Sequence, residues 1–194
     1  MEYIAHRVND KNQLADLDPK LGCEMDIRSR GDRMVVHHEA FTDADDLDAW
    51  LGEYARTRRE RTLILNPKED GLDEAIGELL KKHAIENYFY LDLTVPSAVR
   101  MAIRGGERRI AIRVSEYEPI EHALTFAGKA DWIWLDSFSG DVPNSEMVER
   151  LKKDFKICLV SPELEGYDRD RIAAFKVLAP LCDAVCTKFP GDWA

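Results

Sequence analysis

The chain has 194 residues, of which 45% are hydrophobic and 33% are charged. This composition is typical of a globular protein, and the length suits one domain spanning residues 1–194. The net charge of −10 argues against a nucleic-acid partner and against an anionic membrane surface. A local cationic cleft for a phosphate group remains compatible with that charge.

The apolar runs, the N-terminal sequence and the cysteines indicate the expected cellular compartment of the protein. No apolar run approaches the roughly 20 residues of a transmembrane helix, so no transmembrane segment is expected. The N-terminal sequence MEYIAHRVND lacks the apolar core of a secretion signal. The four cysteines are therefore expected to be reduced, and the pair Cys182 and Cys186 is only a weak zinc signal. Together these features predict a cytoplasmic protein.

Short β-branched or aromatic runs alternate with amphipathic segments along the chain. Eight runs predict strands, at residues 3–8, 23–29, 62–68, 87–93, 109–116, 131–138, 155–164 and 184–190. A further run at 33–38 is predicted to return antiparallel to the second one, after a turn at Arg30-Gly31-Asp32. Helical periodicity predicts helices at residues 43–58, 72–85, 95–105, 118–128, 144–155 and 168–182.

Eight strands separated by helices predict a parallel sheet, because each parallel neighbour needs a crossover connection. We therefore predict the α/β class and a compact, single-domain (β/α)8 TIM barrel. An open, doubly wound sheet is the alternative. No Gly-x-Gly-x-x-Gly sequence follows the first strand, which disfavours that alternative.

Polar residues stand near the carboxyl end of almost every predicted strand, where barrels of this kind carry their active sites. They are His6, Arg7, Glu24, Asp26, Arg28, His37, His38, Glu39, Asn66, Lys68, Asp92, Arg113, Glu116, Asp136, Glu163 and Lys188. Such a ring of charges is costly unless its members pair with one another or bind a ligand. The pattern thus indicates either a site or a buried ion-pair network.

Alternation along the second strand brings Glu24 and Asp26 to the same face of the sheet. Two carboxylates so placed repel one another unless a proton or a cation lies between them. Oxygen ligands of this kind suit Mg²⁺ or Ca²⁺. The simpler interpretation is that one carboxylate pairs with Arg7 or Arg28.

Histidines are the natural candidates for proton transfer at neutral pH, and His6 and His38 lie at strand ends. His37 is expected to point away from the face that carries His38, so only one of these two should enter the site. We expect His6, Glu24, Asp26, His38, Asn66 and Lys68 to share one cleft.

These residues resemble a known family. The succession His6-Arg7, Glu24-Met25-Asp26 and Val35-Val36-His37-His38-Glu39 is similar to the N-terminal motifs of glycerophosphodiester phosphodiesterases, a family of phosphatidylinositol-phosphodiesterase-like barrels. The closing segment DAVCTKFPGDW is similar to that family's Thr-Asp-x-Pro segment. The segments LILNPKEDGL, RVSEYE and CLVSPELEG resemble a divergent branch associated with surface-polysaccharide genes.

The resemblance implies a role for each candidate residue. His6 and His38 would be the catalytic acid and base, and a divalent cation, Mg²⁺ or Ca²⁺, would be held by Glu24, Asp26 and the third-strand position, here Asn66. The cationic candidates to bind the phosphate are Arg7, Lys68, Arg113 and Lys188.

The chain departs from the family pattern at three positions. Val8 replaces a glycine, Asn66 replaces a third acidic ligand, and Lys188 replaces an aspartate. An amide oxygen can still bind Mg²⁺ or Ca²⁺, but it supplies no charge and should weaken the site.

Two functions follow from this pattern. The first is a metal-dependent phosphodiesterase acting on a small glycerol- or sugar-linked phosphodiester, with a cyclic phosphate as an expected intermediate. The alternative is a protein on the same barrel that binds a sugar phosphate or a glycan intermediate without hydrolysing it. Loss of the third acidic ligand favours binding alone, whereas retention of both histidines and both carboxylates favours catalysis.

Overall fold

A computed structural model describes residues 1–58 and 60–194 of the chain. These residues form two compact units, one of His6–Ser97 and the other of Met1–Ala5 with Ala98–Ala194. The prediction of a single domain over residues 1–194 stays a prediction. In the described residues no helix has the length and apolar character that crossing a membrane requires.

The unit His6–Ser97 contains, in chain order, α1 (Lys11–Asp16), β2 (Gly22–Arg30), β3 (Arg33–Val36), α2 (Leu47–Arg58), β4 (Leu63–Pro67), α3 (Asp73–Lys82) and β5 (Tyr88–Tyr90). Its three parallel strands and one antiparallel arm lie in the order β3-β2-β4-β5. The predicted hairpin is confirmed, because Arg30 lies opposite Arg33 in the β2–β3 register. Gly31 makes this tight turn with a φ of 64°.

The helices of this unit bury the apolar stripes that the sequence predicts. Leu47, Trp50, Leu51 and Tyr54 of α2 are fully buried, and the rings of Trp50 and Tyr54 stack with centroids 5.7 Å apart. Burial of this stripe fixes α2 against the sheet.

The short helix α1 was not predicted, because its six residues include a single buried apolar residue, Leu14. Asp10 begins the helix by accepting hydrogen bonds from the backbone of Asn12 and Gln13. At the other end the buried guanidinium of Arg58 donates to the carbonyls of Leu14 and Leu17, both at 2.8 Å. Polar contacts at both ends thus hold α1 in place.

The second unit contains five parallel strands: β1 (Glu2–Ala5), β6 (Ala111–Val114), β7 (Trp132–Leu135), β8 (Lys156–Val160) and β9 (Ala184–Thr187). They lie in the order β1-β9-β8-β7-β6. Its helices are α5 (Ile120–Leu124), α6 (Ser145–Leu151), α7 (Ile172–Phe175) and α8 (Pro190–Trp193), and α4 (Val95–Val99) spans the boundary between the units in the sequence.

Two predicted helices are less regular than their sequences indicate. After Val99 the predicted helix 95–105 continues as a π-helix from Arg100 to Arg104. The predicted helix 168–182 divides into 3-10 turns on either side of α7, and Pro180 lies in the second of these turns. Proline cannot donate the backbone hydrogen bond that an α-helix needs at that position.

Most predicted strands end earlier than their sequence runs. The run 155–164 forms a strand only to Val160, because Pro162 begins a 3-10 turn. The polar residues that close these runs therefore lie in the loops after the strands. In parallel α/β folds such loops carry the functional groups.

Candidate active site

Two carboxylates are buried side by side on β2. Glu24 and Asp26 are each 1% exposed and lie two residues apart, and Asp26 stands next to Asn66 in the β2–β4 register. Strand alternation therefore places both acids on one face, as the sequence predicts.

This pairing changes the acidity of one of them. Burial, followed by repulsion from Asp26, raises the pKa of Glu24 to about 7 from its usual value of 4.5. Hydrogen bonds from Asn66 and from the Arg7 backbone oppose that rise. The site therefore favours either a proton on Glu24 or a cation beside it.

Glu24 has a different donor at each oxygen. Its Oε1 accepts a hydrogen bond from the amide Nδ2 of Asn66 at 3.1 Å. Its Oε2 accepts from the backbone N–H of Arg7 at 2.8 Å and lies 3.8 Å from His6 Nε2. The carboxylate thus joins the loop residue Arg7 to Asn66 of β4.

Two cationic side chains and one amide contact the carboxylate of Asp26. Its Oδ1 lies 2.9 Å from the ammonium of Lys68, and its Oδ2 lies 3.5 Å from Nε of Arg7. Asn9 also donates its Nδ2 to Oδ2 at 2.7 Å. The interpretation that Arg7 pairs with a carboxylate is therefore correct for Asp26, but Lys68 is its closer charged partner.

Backbone strain accompanies this site. Arg7 has a φ of 58° and Asp92 a φ of 55°, values in the left-handed region that favours glycine. The side chain of Asp92 lies 3.4 Å from Nδ2 of Asn66, so both strained residues contact the carboxylate network. Strained backbone is concentrated at functional sites in many proteins.

The two histidines after β3 both face one cavity. Nδ1 of His38 lies 2.6 Å from Oε1 of Glu39, and Arg28 donates to the His38 carbonyl at 2.8 Å. His37 accepts the backbone N–H of Glu39 at Nδ1 at 2.9 Å. Both rings line this cavity, and the expectation that only one of the two enters the site stays a prediction. Strand alternation ends at Val36, so His37 and His38 lie on a loop.

The cavity has a volume of about 710 Å³, and all of its lining residues except Ala44 are polar or charged. It is lined by Arg7, Asn9, Asp10, Gln13, His37, His38, Glu39, Asp43, Ala44 and Asp45. Arg7 and Asn9 belong both to this lining and to the contacts of Asp26. Glu24 and Asp26 do not themselves line the cavity, and Arg7 and Asn9 are the side chains that contact both the cavity and Asp26.

Six candidate residues thus meet in one contact network. His38 lines the same cavity as Arg7, and its place in one cleft with the six stays a prediction. The six are His6, Arg7, Glu24, Asp26, Asn66 and Lys68. Asn9 belongs to the same network but was missed by sequence reasoning. It stands in an irregular loop, where no periodicity indicates which way a side chain points.

The other two phosphate-binding candidates lie in the second unit, each with partners of its own. Arg113 forms an ion pair with Asp136, and its Nε lies 3.9 Å from Glu118. Lys188 donates its backbone N–H to the buried carboxylate of Glu163 at 2.9 Å. Their roles toward a phosphate stay predictions.

A divalent cation is the group that the carboxylate pair would hold. In residues 1–58 and 60–194, no three His, Cys, Asp or Glu side chains group as a metal site. The candidate set instead combines Glu24, Asp26 and the amide of Asn66. The buried Oδ1 of Asn66 has no hydrogen-bond partner in the described part of the chain. Two carboxylates and a spare amide oxygen fit Mg²⁺ or Ca²⁺.

Comparison with known proteins identifies the fold. No family model and no curated protein matches the sequence. An Oleispira antarctica phosphodiesterase, solved in complex with the product sn-glycerol-3-phosphate, is similar with a TM-score of 0.74 and 16% identity over 100% of this chain and 95% of that one. The chain has that fold.

Two further structures agree. A glycerophosphodiester phosphodiesterase from Agrobacterium tumefaciens has a TM-score of 0.69 and 14% identity, covering 100% of this chain and 98% of its own. One from Parabacteroides distasonis has a TM-score of 0.66 and 10% identity, covering 99% and 94%. The predicted (β/α)8 barrel class is thereby confirmed, whereas the divergent polysaccharide-associated branch stays a prediction.

Proposed function

We propose that the chain is a phosphoric diester hydrolase acting on a small glycerol- or sugar-linked phosphodiester. The observation that carries this proposal is the buried pair Glu24 and Asp26, contacted by His6, Arg7 and Lys68. Acids, cations and a proton donor or acceptor then lie together beside a polar cavity. The fold shared with a phosphodiesterase whose product is sn-glycerol-3-phosphate supports the same reaction class.

His38 is the proposed general base. Its Nδ1 contacts Glu39, which leaves Nε2 as the nitrogen available to a ligand in the cavity. A carboxylate in that position orients the ring and stabilises the imidazolium that proton uptake creates. His6 is the proposed general acid, and its Nε2 lies 3.8 Å from Oε2 of Glu24.

The proposed first step is attack by a neighbouring hydroxyl of the substrate on phosphorus. A new P–O bond closes a cyclic phosphate while the P–O bond to the departing alcohol breaks. The attacking hydroxyl gives its proton to His38, and the alcohol leaves with a proton from His6. Water then opens the ring, with the two histidines exchanging roles.

Arg7 and Lys68 are the proposed phosphate-binding cations of this unit. Each contacts Asp26, so the network holds both side chains in place before any ligand arrives. Glu24, Asp26 and Asn66 would hold the divalent cation, which when bound supplies positive charge to the phosphate oxygens. Prior positioning of charge lowers the cost of reorganisation in the transition state.

The test is an assay of purified protein on glycerol- and sugar-linked phosphodiesters with added Mg²⁺, Ca²⁺ or Mn²⁺. We expect an alcohol and either a cyclic phosphate or a phosphomonoester as products. A wild-type protein that binds such a compound tightly and never turns it over would contradict hydrolysis.

Binding without hydrolysis is the second candidate, and one contact favours it. Asn66 stands where the resemblance places a third acidic ligand, and its Nδ2 donates to Glu24. A carboxylate pair that accepts a hydrogen bond from an amide and is paired with the Lys68 ammonium has less need of a cation. Retention of affinity for sn-glycerol-3-phosphate, with no turnover under any cation, would favour this function.

A further inference from the structure

Two aromatic rings lie exposed on loops that follow β6 and β7. Tyr117 is 81% exposed and Phe138 is 39% exposed, and their ring centroids lie 6.0 Å apart at an angle of 45°. Apolar rings of this size are usually buried, and adjacent exposed ones mark a binding surface more often than chance would place them. Neither residue belongs to the proposed active site.

The loop that carries Phe138 is fixed by one carboxylate. Glu116 accepts hydrogen bonds from the backbone N–H of Phe138 at 3.0 Å and of Ser139 at 3.1 Å, and from the Ser139 hydroxyl at 2.5 Å. Partial burial alone would raise the pKa of Glu116, but the hydrogen bonds from Ser139 and Phe138 lower it to about 2. The carboxylate therefore stays ionised and holds the loop at neutral pH.

Two further contacts complete this support. Tyr167 donates its hydroxyl hydrogen to the Phe138 carbonyl at 2.7 Å. Its ring packs so closely on Gly140 that a Cβ at that position would lie 2.6 Å from a ring carbon. On the other loop the backbone N–H of Tyr117 donates to the Ser115 hydroxyl at 3.2 Å. Both rings thus sit on backbone that is ordered before a ligand binds, which reduces the entropic cost of binding.

The charges around the rings select against ionic ligands. Three carboxylates, those of Glu116, Glu118 and Asp136, lie near the guanidinium of Arg113 in the described residues. This surplus of negative charge disfavours a phosphate-bearing ligand such as a nucleotide, and it argues against Arg113 as a phosphate-binding residue. The guanidinium also lies 5.6 Å from the Phe138 centroid, so a ligand cation would meet a like charge at that ring.

The size of the patch selects against a protein partner, because two rings supply far less than the roughly 800 Å² that each partner contributes to a stable interface. What fits is a small neutral ligand with one apolar face and a hydroxylated edge. The hydroxyl of Tyr117 and that of Ser139 supply hydrogen-bonding groups beside the rings.

We propose that Tyr117 and Phe138 form a binding surface for a neutral sugar ring. The ring's C–H face packs on the aromatic side chains, and its hydroxyls meet the polar groups beside them. This inference goes beyond the proposed function, since it concerns the second unit and is measured by binding alone.

The experiment is ligand-observed saturation-transfer NMR with calorimetry on the full chain. The probes are methyl glucoside, N-acetylglucosamine and cellobiose, with choline and adenosine monophosphate as comparators. We expect at least one saccharide to bind, and Tyr117→Ala to weaken it about tenfold through the lost ring contact. Tyr117→Phe keeps the ring and should retain most of the affinity.

Phe41→Ala is the matched control, because Phe41 is 91% exposed and belongs to the other unit. It should bind the saccharide as the wild type does. The proposal is overturned if none of the three saccharides binds, if Tyr117→Ala binds like wild type, or if only choline or adenosine monophosphate contacts Tyr117. None of these outcomes depends on phosphodiester hydrolysis.

Discussion

The side-chain amide of Asn9 forms two hydrogen bonds with Asp26, one through its nitrogen and one through its oxygen. Its Nδ2 donates to the Asp26 carboxylate at 2.7 Å, and its Oδ1 accepts the Asp26 backbone N–H at 2.9 Å. A single side chain thereby fixes both the position of the strand and the orientation of the buried carboxylate. Asn9 is thus a positioning residue for the site, although it lies in a loop 17 residues away in the sequence.

Asn9→Ala should therefore lower the free energy of unfolding, because it leaves a buried carboxylate oxygen and a backbone N–H without this partner. We expect a loss of about 1 to 3 kcal/mol in urea unfolding. Asn12→Ala is the control, since Asn12 is exposed on α1. Equal losses in the two variants would show that Asn9 contributes no more than a surface amide.

His38→Ala should lower kcat on any phosphodiester that the wild type cleaves by on the order of 10²- to 10⁴-fold. Substrate affinity should change much less, because the proton transfer belongs to the transition state. Steady-state kinetics and product-binding calorimetry measure the two effects separately. His37→Ala tests the neighbouring ring in the same cavity and should lose less activity. Parallel losses of kcat and affinity in His38→Ala would make His38 a ligand contact instead.

Mg²⁺ or Ca²⁺ should raise the melting temperature of the wild type through preferential binding to the folded state. Asp26→Asn should remove the effect, while Asp43→Ala, at an exposed carboxylate, should not. Asn66→Glu restores a third charge and should tighten cation binding in calorimetry. A wild-type melting curve that saturating cation leaves unmoved would identify the pair as an ion-pair network.

The raised pKa of Glu24 predicts a pH dependence of stability in the absence of divalent cations. The folded state holds the Glu24 proton up to about pH 7, whereas the unfolded chain releases it near 4.5. Glu24's contribution is therefore fully present below pH 4.5 and is lost as pH rises through 7. This amounts to on the order of 3 kcal/mol.

Glu24→Gln isolates that contribution, because the amide keeps the shape of the protonated acid and does not titrate. The difference in unfolding free energy between wild type and Glu24→Gln should move against the wild type between pH 4.5 and 7 and then level off. A difference that stays constant across this range would mean that Glu24 is ionised throughout.

The pairing of Glu24 with Asp26 was predictable, because strand alternation is a strict geometric rule. The alternation of strands and helices likewise sufficed for the barrel class. The same rule does not reach His37 and His38, because the strand ends at Val36. Hydrophobic runs mark where a strand begins far better than where it stops, since the closing residues are polar in loops and sites alike.

Side-chain contacts between separate elements could not be predicted. The hydrogen bonds from Asn9 to Asp26 and from Arg58 to the Leu14 carbonyl both depend on which elements become neighbours after folding. No local sequence pattern around Asn9 or Arg58 predicts which residue its side chain will contact. Asn66 illustrates a different difficulty, because its position was correct in the sequence but its hydrogen bond to Glu24 follows from the packing of two strands.

The left-handed backbone of Arg7 sets stability and function against each other. Glycine would adopt this φ without the cost, of order 1 kcal/mol, that an arginine bears there. Selection for a more stable fold alone would thus remove a side chain that, like that of Asn9, contacts both Asp26 and the cavity. Thermostability screens of this protein should accordingly enrich Arg7→Gly. That variant loses the contact of Arg7 with Asp26 and its side chain in the cavity.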